Sequence, residues 1–215
     1  MNSEDSRRRR SRNTAVGAAG LIDVAEALFA EHGIDNVSMR QIAASAGLSN
    51  PASVQYHFGD RDTLVRAIWQ KRLPEIDKRR ARQIAALEAS GAGDRIDALM
   101  DCICAPLVTE FNVFSQFLAR VMRSRYHRRA RREFDSLTPA TGEIIARMRA
   151  LLPEIEDDVF YFRLVNGLLI VLDAIGSTSA IIPKTWHRDG KKIAYAEALA
   201  VAAGCLQASR PEWPQ

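Results

Sequence analysis

Between residues 33 and 60 the chain is punctuated so closely that only short helices fit. Gly33 ends a helical stripe, because glycine takes the left-handed conformation that closes a helix at no steric cost. Ser38 and Gln41 stand at the spacing of a capping box, and Val37 and Ile42 occupy the hydrophobic-staple positions around it. Gly47 stops that helix. Asn50 then reads as the N-cap of a second short helix, with Pro51 at the first helical position, where a missing N–H costs nothing. Val54 and Phe58, four apart, face inward, and Ser53, Gln55 and Tyr56 fall on other faces. Gly59 ends this helix, and Asp60 caps a further one whose stripe is Leu64, Ile68 and Trp69.

Upstream, residues 14–32 carry Leu21, Val24, Ala25, Leu28 and Phe29 on one helical face. A long helix followed by two short ones with a tight turn at Gly47-Leu48-Ser49 is the helix-turn-helix plan, whose second short helix enters the major groove of DNA. A plain three-helix bundle is the competing reading, but a core-only design does not require so polar an outer face on so short a helix. Residues 1–13 are polar and basic without apolar periodicity and read as a disordered tail. The expected organisation is that tail, a helix-turn-helix domain over 14–72 with a linking helix from 60, and a larger domain over 73–215.

Ala, Leu, Arg and Glu dominate, and β-branched residues never run in strict alternation, so the fold class expected is all-α. Beyond residue 75, helical segments are expected near 75–90, 94–109, 111–126, 128–151, 155–177 and 191–208, with Pro106 and Pro139 kinking or breaking theirs. Asp23 and Glu26 interrupt the apolar stretch behind the basic N-terminus, which argues against a signal peptide. Arg163, Asn166 and Asp173 interrupt the most apolar segment, which argues against a membrane span and for a cytoplasmic protein. Three cysteines, an odd number, do not make a secreted disulfide framework, and Cys102 and Cys104 read as buried free thiols. No metal set and no cofactor motif is expected. His32, His57, His127 and His187 are scattered and no nucleophile or phosphate-cradle motif occurs, so an enzyme is not expected.

The stretch "GLIDVAEALFAEHGIDNVSMRQIAASAGLSN…VQYHFGDRDTL", residues 20–64, resembles the TetR family of bacterial transcriptional regulators. The motifs S-M-R-Q-I-A-A-S-A-G and Y-H-F-G-D-R-D-T-L stand in the family's order and spacing. Six residues separate the turn serine Ser49 from Tyr-His-Phe where five are common, which is similar to a Q-Y-H-F-G variant subgroup. The resemblance implies a non-enzymatic homodimer whose N-terminal units bind successive major grooves of a palindromic double-stranded operator. It further implies a C-terminal domain that takes a small-molecule effector, most often releasing a repressor from DNA. The alternative is a helical ligand-binding or protein-interaction module whose helix-turn-helix has degenerated.

At the DNA end, Ser38 and Arg40 open the second helix, and Ser49, Asn50 and Ser53 are short polar groups suited to phosphates or base edges. Gln55 is the first candidate for base readout, since its amide pairs bidentately with adenine. Tyr56 and His57 resemble family positions that contact phosphates, a packed neutral histidine being the competing reading for His57. Arg40 and Arg61 are expected phosphate clamps. Residues 14–59 hold four acids, Asp23, Glu26, Glu31 and Asp35, against a single base, Arg40. An acidic reader needs cations from its flanks: Arg7–Arg10 with Arg12 on one side, Arg61, Arg66, Lys71 and Arg72 on the other. The arginine tail reads either as a groove contact or as a solvated tail.

In the C-terminal half, Met100, Phe111, Phe114, Phe117, Leu118 and Met122 form an apolar set that reads as core or as the lining of a ligand pocket. Arg120, Arg123, Arg125, Arg128, Arg129, Arg131 and Arg132 read as a solvated face or as the mouth of an anion site. The last two helices fit dimerisation around a two-fold axis, with Phe160, Leu164, Leu168, Val171, Ala198 and Ala202 at the interface. Burial within one subunit is the other reading of that set.

Overall fold

The computed structural model describes residues 17–50, 52–91, 93, 95–126, 134–176 and 190–209, and the fold is all-α, with no strand among these residues. The chain forms two compact units, Met1–Lys71 and Arg72–Gln215.

In the first unit the helices are α1 (Ala18–His32), α2 (Met39–Ser45), α3 (Ser53–Phe58) and the start of α4 (Arg61–Ala89). The capping box is present in full: Ser38 Oγ accepts from the Gln41 N–H and the Gln41 side chain accepts from the Ser38 N–H. α2 ends where Gly47 takes φ +70, with Leu48 N–H reaching back to the Ala43 carbonyl at 2.9 Å and Gly47 N–H to Ala44 at 3.0 Å. This is the Schellman pattern, which a residue with a Cβ adopts only under strain. Leu21, Ala25 and Phe29 of α1, Ile42 and Ala43 of α2, Val54 and Phe58 of α3, and Leu64, Ile68 and Trp69 of α4 are all buried. Val24 and Leu28 are half-buried.

One local expectation is corrected here. α3 begins at Ser53, with Ala52 in the N-cap place, and Pro51 lies outside the described residues. Asn50 still satisfies a donor, since its Oδ1 accepts from the Ala52 N–H at 2.9 Å, but it builds a turn ahead of the helix. The helix expected from residue 60 and the segment expected near 75–90 are one helix: α4 runs through Pro74, losing one ladder bond without ending. Asp60 caps α4 as expected, its Oδ1 accepting from the Thr63 N–H at 2.7 Å.

The second unit contains the rest of α4 and α5 (Ile96–Thr109), α6 (Asn112–Met122), α7 (Pro139–Ala150), α8 (Asp157–Ile175) and α9 (Gly190–Gln207). Pro106 lies inside α5, which continues past it. Pro139 starts α7 at the first helical position, so the helix expected over 128–151 is corrected to one opening at 139; residues 134–137 are helical and Thr138 stands between. Its core joins Leu99, Met100 and Ile103 to Ile144 and Met148, and both to Phe160, Leu164 and Val171 of α8 and Ala202 and Leu206 of α9. α8 and α9 approach at Gly167, where an added Cβ would sit 3.2 Å from the Ala202 Cβ.

Two helix ends in this unit are satisfied from other helices. The Asp77 carboxylate of α4 accepts from the Ala140 and Thr141 N–H groups of α7, each at 2.9 Å, and from the Thr141 hydroxyl at 2.7 Å. Those are the second and third helical positions, the ones an N-cap side chain normally serves, and the negative charge also suits the helix N-terminus. The Thr141 hydroxyl in turn accepts from Arg80 Nη1 at 2.8 Å, and Arg80 Nε and Nη2 both donate to the Ile103 carbonyl of α5. Arg80 is 2% exposed. Burial pushes its guanidinium down to about 10, with neighbouring Asp77 acting the other way, so it stays charged at neutral pH. At the far end of α9, Arg163 of α8 donates to the Leu206, Ala208 and Ser209 carbonyls.

Candidate nucleic-acid interface

α3 is only six residues long, and its two apolar side chains, Val54 and Phe58, are both buried. Everything between them is turned outward. Gln55, Tyr56 and His57 are exposed, Tyr56 at 88%, and Ser53 is half-buried. The Tyr56 ring meets His57 edge-on, with centroids 5.6 Å apart, so the two aromatic tips form one exposed ledge. His57 is not the packed histidine of the competing reading. Ser49 and Asn50, in the turn before α3, are exposed too. On α2, Arg40 is exposed and makes no ion pair among the described residues, whereas the exposed Ser38 uses its hydroxyl in the capping box.

Arg61 departs from expectation. Its Nη2 donates to the Val37 carbonyl at 2.9 Å and its Nη1 lies 3.5 Å from the Asp35 carboxylate. Its guanidinium is thus turned to the residues before α2, with the side chain 28% exposed. Lys71 is similarly engaged, 2.6 Å from the Asp23 carboxylate and donating to the Ala19 carbonyl. Two of the four acids are paired inside the unit: Asp23 with Lys71 and Asp35 with Arg61, both cations of α4, while Glu26 is buried. The sequence displays the four acids and the flanking cations but not their pairing. The partners are separated by 48 and 26 positions, and only the fold brings them together. Arg66 remains exposed, donating to Thr63. Arg7–Arg10 and Arg12 lie outside the described residues.

A long helix packed on two short ones, the second with an apolar inner edge and a polar, aromatic outer edge, is a helix-turn-helix unit. Residues 21–68 match the family model described as "Bacterial regulatory proteins, tetR family", a span running from α1 into α4. That match supports a TetR-type transcriptional regulator with this unit as its DNA-binding domain. No curated protein matches the chain.

The C-terminal expectations fare differently. Met100, Phe114, Phe117 and Leu118 are packed into the core, while Phe111 and Met122 are half-buried. None of the six lines the cleft of about 660 Å³ bounded by Arg95, Asp97, Leu151, Leu199, Ala203 and Gln207. The set expected at a dimer interface is corrected. Phe160, Leu164, Val171, Ala198 and Ala202 are buried inside one chain, because the close crossing at Gly167 turns those faces of α8 and α9 inward. Leu168 is half-buried. The opposite faces carry Phe162, 70% exposed, with Tyr161 and Val201. In the arginine run, Arg123 pairs with Asp173 and Arg125 lies 5.2 Å from the Tyr126 ring centroid, while Arg128–Arg132 fall outside the described residues. Cys102 and Cys104 are buried free thiols, and burial pushes the Cys104 thiol up to about 12. No single helix among the described residues is long and apolar enough to cross a membrane.

Proposed function

We propose that the protein is a cytoplasmic, homodimeric, non-enzymatic repressor that binds a palindromic operator and is released by a small-molecule effector. The observation that carries this reading is α3, whose two apolar residues are buried while Gln55, Tyr56 and His57 stand outside with nothing of the described chain covering them. Gln55 reads a base edge; Tyr56 and His57, with Ser49, Asn50, Ser53, Ser38 and Arg40, position the unit on phosphates. Residues 49–59 carry the longer turn of the Q-Y-H-F-G variant.

Residues 14–72 are the reader and 73–215 the effector-binding and dimerising part. Phe111 and Met122, the half-buried members of the aromatic set, are the effector contacts nearest solvent. The dimer forms through Phe162 and Val201 on the outer faces of α8 and α9, a more apolar surface than a single helix leaves in water. The competing module with a degenerate reader rests on the acids around the first helix, and the pairing of Asp23 with Lys71 and of Asp35 with Arg61 weighs against it.

The test is selection of duplexes from a random pool, followed by footprinting. A protected inverted repeat is expected for the wild type, lost in Gln55→Ala and Tyr56→Ala. Failure to enrich any sequence rejects the proposal.

A further inference from the structure

Arg61 is the first residue of α4, two positions after the glycine that closes α3, yet its guanidinium reaches back to the turn that launches α2. Nη2 donates to the carbonyl of Val37, the residue before the Ser38 N-cap, and Nη1 faces Asp35. Nε is buried without a hydrogen-bond partner, and the side chain is 28% exposed. The head group is therefore laid into the turn over residues 33–38.

From this geometry we infer that Arg61 is a positioning residue that locks the helix-turn-helix, and that it does not touch phosphate. It joins the entry of α2 to the exit of α3, so the two short helices move as one body. The donor is charged and the carbonyl belongs to a buried residue, a combination stronger than a neutral hydrogen bond. Pulling Arg61 onto a phosphate would take the donor from Val37 and leave the Asp35 carboxylate, of the same sign as DNA, without that cation. The consequence for DNA rests on the function proposed above; the lock itself does not.

The test uses full-length Arg61→Met, Arg61→Lys and Arg40→Met. Hydrogen exchange is followed over residues 34–46 in the absence of DNA, and binding to a duplex selected by the wild-type protein is followed across a salt series. In Arg61→Met, exchange over 34–46 should quicken and operator affinity should fall about tenfold, the worth of one hydrogen bond to a charged donor, with the salt slope unchanged. Arg61→Lys keeps the charge but cannot span both acceptors, so it should recover only part of each loss. Arg40→Met should show the opposite pattern, unchanged exchange and a slope shallower by about 0.9, the value of a single phosphate that is no longer neutralised. A slope reduced in Arg61→Met, or exchange unchanged in both Arg61 variants, overturns the proposal. Should Arg61→Met not fold, Arg61→Lys alone is read the same way. If no duplex is selected, the DNA reading fails while the exchange result still decides on the lock.

Discussion

The two units solve the same problem, the unsatisfied ends of helices, by different means. In the first unit several ends are closed from within a few residues: Ser38 with Gln41, Asp60 with Thr63, and Gly47 by its own backbone. In the second, α7 is capped by Asp77, 63 and 64 residues away, and α9 by Arg163, more than 40 residues away. Local closure lets very short helices hold their shape while offering an outer face to a partner. Closure at a distance ties separate helices to one another, so an end, a buried charge and the tertiary packing stand or fall together.

The largest expected effect comes from breaking that distant closure. Asp77→Ala removes the acceptor from two α7 N–H groups and leaves the buried Arg80 without its nearby carboxylate, so a loss of about 3–5 kcal/mol is expected. Denaturant unfolding measures the loss, and hydrogen exchange should place it in peptides of α7 with the peptides of α2 and α3 unchanged. Uniform loss across both units would erase the contrast. A smaller effect is expected at the crossing of α8 and α9. Gly167→Val forces a side chain into space where even a Cβ lies 3.2 Å from Ala202, and overpacking of this kind costs about 1–3 kcal/mol. Cys104, buried beside Arg80, should resist alkylation in the wild type and become reactive as that crossing loosens.

The same contrast explains what is legible in the sequence. The capping box is readable because Ser38 and Gln41 are three apart, and the spacing is itself the mechanism. The inward pair Val54 and Phe58 is readable because a helix repeats its face every three to four residues. Nothing in the sequence marks Asp77 as the cap of a helix beginning at Pro139, since Thr138, the residue in the N-cap place, turns its hydroxyl to the Phe134 carbonyl instead. Arg61 and Asp35 are visible as charges, one suited to DNA and the other to a repulsive patch, because their meeting depends on how α4 packs. The small residues of α9 do announce a close helix approach. They do not say which helix comes close, and the answer is α8 of the same chain at Gly167, which is why Ala198 and Ala202 belong to the core and not to an interface between subunits.

Within the first unit the expected losses are local and modest. Ser38→Ala removes one partner of the box at the start of α2 and should cost about 1 kcal/mol, seen as faster exchange at Gln41. The Asp60 cap adds a dependence on pH. Hydrogen bonds from the Thr63 backbone and hydroxyl hold its carboxyl below the ordinary 3.8, so its folded form favours the ionised state. Its contribution is present in full above the unfolded value and is lost as pH falls through the depressed folded one. An acid titration from pH 4 downward should therefore destabilise the wild type more than Asp60→Asn.

The smallest effect on stability is expected where the contrast predicts none. Tyr56 is the most exposed of the large hydrophobic side chains described and touches little of the fold beyond His57, so Tyr56→Ala should change unfolding by no more than about 0.5 kcal/mol. Its binding partner, on the function proposed, is DNA, and there the same substitution should lower affinity about tenfold or more, the worth of one well-made contact. Parallel melting and operator titration of the one variant separate the two roles. A large drop in melting temperature would make Tyr56 part of the scaffold, and an unchanged affinity would leave α3 without the outward purpose that distinguishes it from every helix of the second unit.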